Sequence, residues 1–290
     1  MSSASDRARQ VSLARLDEFG IVPKRELGQN FLIDDNIIDL ILTQLDHSAE
    51  DVILEVGAGL GVLTRALAAV SSHVHAFELD RALEAALSVT LEGRANVSLH
   101  LVDVLRYPLA ELSPEPTLCA SNLPYSVAGP FVVEALRHLP SVRRYCVMVQ
   151  REVGERMAAA PGSKVYGTLS VWLGLFARVV RTRPLSRSVF FPQPNVDSSL
   201  VVFDRLPPEA LPKVSVESLE KVIKAAFAQR RKTLSNALAA GLGISRAEAL
   251  TSIEALGLPP DVRGERLSPQ LFAELTESLS ATGRLDSIVL

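Results

Sequence analysis

Between residues 52 and 149 short apolar runs alternate with amphipathic segments, and that rhythm leaves few folds open. Residues 52–56, 74–79, 97–102, 118–121 and 144–149 have the length and apolar character of buried strands. Between them, residues 62–70, 82–91 and 131–139 repeat apolar side chains at helical spacing. Strands buried on both faces and joined through helices pair in parallel, because a parallel connection needs a long crossover. The expected fold is therefore α/β, a Rossmann-like sheet with helices on both faces. Helical patterns at 6–19 and 36–45 precede it, the second with Asp34 and Asp35 as candidate caps. Helical patterns at 152–159 and 169–177 follow, then β-rich stretches at 179–182 and 199–203 that could close the sheet as a hairpin-like edge.

Pro207-Pro208, with Pro212 just after, is the clearest linker. Beyond it every pattern is helical, at 216–227, 234–240, 246–256 and 269–279, until the periodicity fades over the last ten residues. Two domains are expected, a sheet domain over 1–206 and a small all-helical appendage over 207–290. The first ten residues hold no apolar core of a secretory signal, and the apolar region 52–70 is broken by Glu55 and Arg65. A cytoplasmic protein is the default expectation. Cys119 and Cys146 sit far apart in apolar runs and read as small core residues, and His73 and His75 read as structural, so no metal is expected.

Charge is distributed unevenly. Residues 1–142 hold 10 Lys+Arg against 19 Asp+Glu, whereas residues 143–232 hold 16 against 7. A block of +9 in a chain of net charge -3 is what a surface facing a polyanion requires, although a solvated helix face has the same composition.

Chemistry gathers at the ends of the expected strands. Gly57-Ala58-Gly59-Leu60-Gly61 follows one strand and opens a helix, which lets backbone approach a ligand closely. The dinucleotide pattern Gly-x-Gly-x-x-Gly is not met, since Val62 stands at its third glycine, and a smaller nucleoside ligand fits better. Glu78 ends the next strand, where two carboxylate oxygens suit ribose hydroxyls, and Asp103 ends the one after. Asn122-Leu123-Pro124-Tyr125 ends the fourth, putting an amide, a proline-fixed backbone and an aromatic ring at its mouth. Alone that stretch could be a strand-terminating turn. As the last of four polar strand ends on one sheet edge it reads as part of a site.

These motifs resemble a known family. Glu55 through Gly61, Glu78 and Asn122-Leu123-Pro124-Tyr125 look like the signature of class I S-adenosylmethionine-dependent methyltransferases acting on exocyclic amines. Gly28-Gln29-Asn30-Phe31-Leu32, Gly162-Ser163-Lys164-Val165-Tyr166-Gly167, the stretch from Phe190 to Ser198 and Gln229-Arg230-Arg231-Lys232-Thr233-Leu234 resemble the KsgA family. Its members are adenine dimethyltransferases of small-subunit ribosomal RNA. Matching stretches run from about residue 24 to residue 272, so the resemblance covers nearly the whole chain.

The resemblance implies S-adenosylmethionine as cofactor and a pre-ribosomal 30S particle as partner of a monomeric enzyme. By similarity Gln29, Asn30 and Leu32 close over the cofactor, Gly57 and Gly59 give it room, Glu78 binds its ribose and Asp103 its adenine. Asn122, Leu123 and Pro124 would aim the target amine, with Tyr125 on one face of the base and Phe190 on the other, unless the Phe190-Phe191 pair is ordinary core. Arg143, Arg144, Arg151, Lys164, Arg183, Arg230, Arg231 and Lys232 are expected to grip phosphates. The nearest rival reading is an Erm-type enzyme of large-subunit ribosomal RNA; a non-catalytic assembly factor is the other.

Overall fold

A computed structural model describes residues 5–281, and in it the alternating stretch forms a sheet while the chain beyond Pro207 is helical. In chain order the elements are α1 (Ser5–Glu18), β1 (Phe31–Leu32), α2 (Asp35–Leu45), β2 (Val52–Val56), α3 (Val62–Ala68), β3 (His73–Phe77), α4 (Glu84–Thr90), β4 (Val97–His100), β5 (Leu118–Asn122), α5 (Ala128–His138) and β6 (Arg144–Gln150). Then come α6 (Arg151–Met157), α7 (Thr168–Phe176), β7 (Ala177–Leu185), β8 (Phe190–Phe191), β9 (Ser198–Arg205), α8 (Val216–Ala228), α9 (Leu234–Leu242), α10 (Arg246–Ala255) and α11 (Pro269–Ala281). Residues 282–290, nearly all of the aperiodic tail, lie outside the described residues.

The main sheet has seven strands in the order β4-β3-β2-β5-β6-β9-β7. Strands β2 to β6 pair in parallel and β9 returns antiparallel to β6, from Arg144↔Asp204 to Gln150↔Ser198. As the sequence suggests, β7 and β9 are neighbours at the sheet edge. The chain builds outward from β2 to β4, then places β5 on the other side of β2. That reversal opens a crevice at the carboxyl ends of β2 and β5, where α/β sheets bind ligands.

Burial explains the assignments. All of β2 is buried, and Ile53, Leu54, Val74, Leu118, Cys119 and Ala120 are fully enclosed. On one face α2 inserts Ile38, Ile41 and Leu45, with Asp34 capping its first turn by accepting from the Asn36 N–H. The α5 stripe of Phe131, Val132 and Ala135 is fully buried in turn. Both cysteines are free and buried, and burial pushes their thiols up to about 12, which keeps them unreactive. His75 donates from Nε2 to the Pro114 carbonyl at 2.8 Å, and the His100 ring stacks on Phe77. Burial lowers the pKa of His73, His75 and His100, so these rings pack as neutral groups. Among the described residues no cluster of His, Cys, Asp and Glu could hold a metal ion, and no helix is long and apolar enough to cross a membrane.

The chain divides into two compact units. The first runs to Gly154 and takes in Val179–Arg205; the second joins Glu155–Arg178 to the chain from Leu206 onward. The boundary at Arg205–Leu206, beside the expected Pro207-Pro208 linker, is thus one of three crossings, and residues 155–178, expected within a continuous sheet domain, pack with the C-terminal helices. Gly174 shows why: a Cβ there would lie 2.4 Å from the Pro269 ring, so α7 and α11 pack only because a hydrogen stands in that place. Tyr166 adds a hydrogen bond from its hydroxyl to the Leu267 carbonyl at 2.9 Å.

Candidate active site at the carboxyl ends of the strands

The glycine turn after β2 holds Gly57, Gly59 and Gly61 at φ of +80°, +58° and +79°. A Cβ on Gly57 would meet the Pro124 Cδ at 3.0 Å and the Asn122 carbonyl oxygen at 3.1 Å. The glycine turn and the Asn-Leu-Pro-Tyr stretch therefore touch.

Three acidic side chains line the crevice, each in different surroundings. Glu78, just past β3, is 8% exposed; its Oε2 accepts from the Gly59 N–H at 2.9 Å and its Oε1 from the Asp80 N–H at 2.8 Å. Burial raises its pKa, and those N–H donors partly offset the rise. Asp103 accepts from the Leu105 N–H at 3.0 Å and lies 3.6 Å from Arg106, so it is the more solvated carboxylate. Glu55 stands inside β2 at 1% exposure, with Oε2 lacking any hydrogen-bond partner. Burial raises its pKa to about 8, and the Glu78 charge pushes the same way, so Glu55 is mostly protonated at neutral pH. The sequence reading gave Glu55 no role, although a carboxyl within Val-Ile-Leu-Glu-Val was the signal.

Asn122 closes β5, and its Nδ2 donates to the Asn30 carbonyl at 2.9 Å, which fixes the amide and leaves Oδ1 as an acceptor. The Pro124 carbonyl is taken by the Val127 and Ala128 N–H groups at 3.0 and 3.1 Å. With the Pro124 carbonyl so engaged, the Leu123 carbonyl is the backbone acceptor that remains beside Asn122. Tyr125 is half-buried, and burial raises its phenol pKa despite a hydrogen bond with Ser198.

Gln29, Asn30, Leu32, Gly57, Gly59, Glu78, Asp103, Asn122, Leu123, Pro124 and Tyr125 all border one cavity, and Glu55, Leu79, Val102 and Val104 join them. Two expectations change in detail. Gln29 has its amide spent on protein: Nε2 donates to Asp80 Oδ2 and Oε1 accepts from the Lys24 N–H, both at 2.8 Å. It braces the segment over the cavity rather than offering donors to a ligand. Phe190 does not line the cavity. The pairing Leu32↔Phe190 and Phe31↔Phe191 turns Phe190 into the core at 2% exposure and leaves Phe191 at 40%.

The expected phosphate grip also changes. Arg143 directly precedes β6 and Arg144 begins it, at the amino ends of the strands, away from the cavity. Arg143 pairs with Asp51, and Arg144 holds Asp204 through Nε at 2.6 Å and Nη2 at 3.0 Å. Both are scaffold residues. In the helical unit Arg230 donates to the carbonyls of Lys164 and Tyr166 at 3.1 and 2.9 Å, so it too is a brace. Arg151, Lys164, Arg183, Arg231 and Lys232 are exposed.

A family model described as ribosomal RNA adenine dimethylase matches residues 22–280. The chain is 43% identical over 269 residues to the ribosomal RNA small subunit methyltransferase A of Rhodococcus opacus, covering 90% of each. It is 41% identical over 266 residues to the protein of that name from Streptomyces coelicolor, covering 89% of this chain and 91% of the relative. Among solved structures it is similar to a dimethyladenosine transferase from Plasmodium falciparum, with TM-score 0.75 and 23% identity over 88% of this chain and 98% of that one. The 23S rRNA methyltransferase ErmE follows at TM-score 0.61 and 23% identity, over 87% and 100%. Those two share the fold, a class I methyltransferase sheet. The match runs from the segment that carries Gln29 through the last helix, and the chain belongs to the ribosomal RNA adenine dimethylase family.

Proposed function

We propose that this enzyme transfers methyl groups from S-adenosylmethionine to the exocyclic N6 amines of adenines in small-subunit ribosomal RNA, dimethylating two adjacent adenines in a 30S precursor particle. It acts as a monomer in the cytoplasm. The observation that carries the reading is the Asn122 amide, fixed through Nδ2 on the Asn30 carbonyl so that Oδ1 is left as an acceptor on a residue that lines the cavity together with Leu123.

The residues fit the cofactor. Two buried carboxyl groups, Glu55 and Glu78, share the cavity, and the Oε2 of Glu55 has no protein partner. Such a site favours a ligand rich in hydroxyl and amine groups that can pair with the buried carboxyls. Glu78 would hold the ribose hydroxyls and Asp103 the adenine amine. Leu79 and Val102, apolar yet 52% and 40% exposed, would flank a flat ring. When bound, the cofactor supplies an electrophilic methyl group on a positively charged sulfur.

The adenine amine is a poor nucleophile because its lone pair is shared with the ring. Asn122 Oδ1 and the Leu123 carbonyl accept its two hydrogens, which draws the lone pair out of conjugation and aims it across the cavity. Tyr125 supports one face of the extruded base. No general base is needed at these atoms, since the proton released after transfer leaves from a far stronger acid than the amine. A singly methylated amine keeps one N–H, which either acceptor can hold for the second transfer. Outside the cavity, Arg151, Lys164, Arg183, Arg231 and Lys232 meet phosphates, where each neutralised contact adds to the salt dependence.

The test is methylation of purified small-subunit particles lacking the modification, alongside large-subunit RNA, with nucleosides resolved by mass spectrometry. Dimethyladenosine at two adjacent small-subunit positions is expected. Product on large-subunit RNA alone would overturn the reading.

A further inference from the structure

Asp80 does not border the cavity, yet elements that do border it meet at this residue. Its carboxylate is 7% exposed. Oδ1 accepts from Lys24 Nζ at 2.8 Å and from the Ala82 N–H at 3.1 Å, while Oδ2 accepts from Gln29 Nε2 at 2.8 Å. Its backbone N–H donates to Glu78 Oε1 at 2.8 Å. The bond to Ala82 is an ordinary cap of the turn Arg81–Leu83. Capping does not account for two further donors reaching in from a segment far away in sequence.

That segment is closed on itself and then passed on to the catalytic amide. Gln29 Oε1 accepts from the Lys24 N–H, so residues 24–29 form a ring of contacts anchored on one carboxylate. The next residue, Asn30, gives its carbonyl to Asn122 Nδ2. A continuous path of hydrogen bonds and short backbone links therefore runs from Glu78 through Asp80, Gln29 and Asn30 to Asn122. Lys24 is 42% exposed and as an isolated surface pair would add little, but here its partner is buried and shared with an amide.

We infer that Asp80 is a positioning residue that joins the ribose-binding carboxylate to the amine-aiming amide, so that holding the cofactor and aiming the target base are coupled. This rests on the roles given above to Glu78 and Asn122. Loss of the Asp80 carboxylate frees residues 24–30, which loosens the cavity wall and releases the Asn122 amide from its fixed orientation.

The experiment uses the whole chain and separates binding from turnover. S-adenosylmethionine is titrated by calorimetry without RNA, and single-turnover methylation of small-subunit particles is then measured at saturating cofactor. Asp80→Ala is expected to bind about tenfold more weakly and to react about tenfold more slowly even at saturation. Gln29→Ala, which touches neither Glu78 nor the capped turn, should reproduce the rate loss with a smaller loss of affinity. The double variant should react no more slowly than Asp80→Ala, and Asp80→Asn, which keeps an acceptor oxygen, should recover part of the rate. An unchanged rate at saturation in both single variants, or rate losses that multiply in the double variant, would overturn the coupling. Should Asp80→Ala not fold, Gln29→Ala decides alone. Failure of the wild-type chain to bind the cofactor or to methylate particles would instead overturn the functional reading itself.

Discussion

Charged groups gather at both ends of the sheet, and the buried ones are partnered differently at each. At the amino ends, Asp51 is held by Arg143, Thr117 and the Ser48 N–H; Asp204 by Arg144; and Arg205 by the carbonyls of Ala135, Leu136 and Leu139. At the carboxyl ends, Glu55 and Glu78 are buried together with no ion pair among the described residues, and one oxygen of Glu55 has no partner at all. Saturation marks a scaffold, because a buried polar group with its partners present costs little. Deficit marks a binding site, since only a ligand can supply what the chain withholds.

The sharpest way to break this division is Asn122→Ala at the carboxyl end. It should lower the single-turnover rate by about 10²–10³ while leaving the unfolding midpoint nearly unchanged. An enzyme that still turns over normally would return Asn122 to the role of a turn residue. At the amino end Asp51→Ala should do the reverse, costing about 1–3 kcal/mol in denaturant unfolding with turnover per folded molecule intact. The Arg143 guanidinium and Thr117 hydroxyl hold Asp51 well below the usual carboxylate range, and burial only partly opposes them. Its contribution is therefore full above the unfolded carboxylate pKa and is lost as acid titrates the folded state. The loss should vanish in Asp51→Asn, as read from thermal midpoints across acid pH.

Glu55 sharpens the contrast with a change of opposite sign. Its folded pKa, about 8, lies above the unfolded value, so the cofactor-free chain binds this proton more tightly when folded. Stability is then fully present in mild acid and declines as pH rises from about 4.5 to 8. Glu55→Gln, which mimics the protonated group, should flatten that decline in melts taken across the same range. The smallest expected effect concerns RNA. Arg231→Ala and Lys232→Ala should each reduce the salt slope of particle binding by about one, whereas Arg144→Ala should leave the slope alone. An Arg144 effect on the slope would put RNA at the wrong end of the sheet.

Periodicity made the fold readable, because strands buried on both faces and helices with one apolar stripe write different patterns. Glu78, Asp103 and Asn122 were readable for a related reason: each follows directly on an apolar run, so the fold itself places them on one edge. Partners were not readable. Gln29 finds Asp80 at a separation of 51 residues, and Arg143 finds Asp51 at 92, and nothing local distinguishes a brace from a ligand group. Phe190 and Phe191 fail differently. Which ring turns inward is set by a two-residue strand pairing with β1, too short for alternation to appear in the sequence. The placement of residues 155–178 likewise depends on contacts such as Gly174 with Pro269, made after the whole chain is assembled.

The contact between Gly57 and Pro124 bears on anyone redesigning this enzyme. A methyl group on Gly57 would sit 3.0 Å from the proline ring and 3.1 Å from the Asn122 carbonyl oxygen, so the two motifs form one tight steric contact despite their distance in sequence. A library that randomises either position alone will return inactive clones for reasons of packing, and will understate how many solutions exist. Paired randomisation removes the packing conflict but not the φ of +80° at Gly57, so a transplant of Asn-Leu-Pro-Tyr onto another sheet must carry its glycine with it.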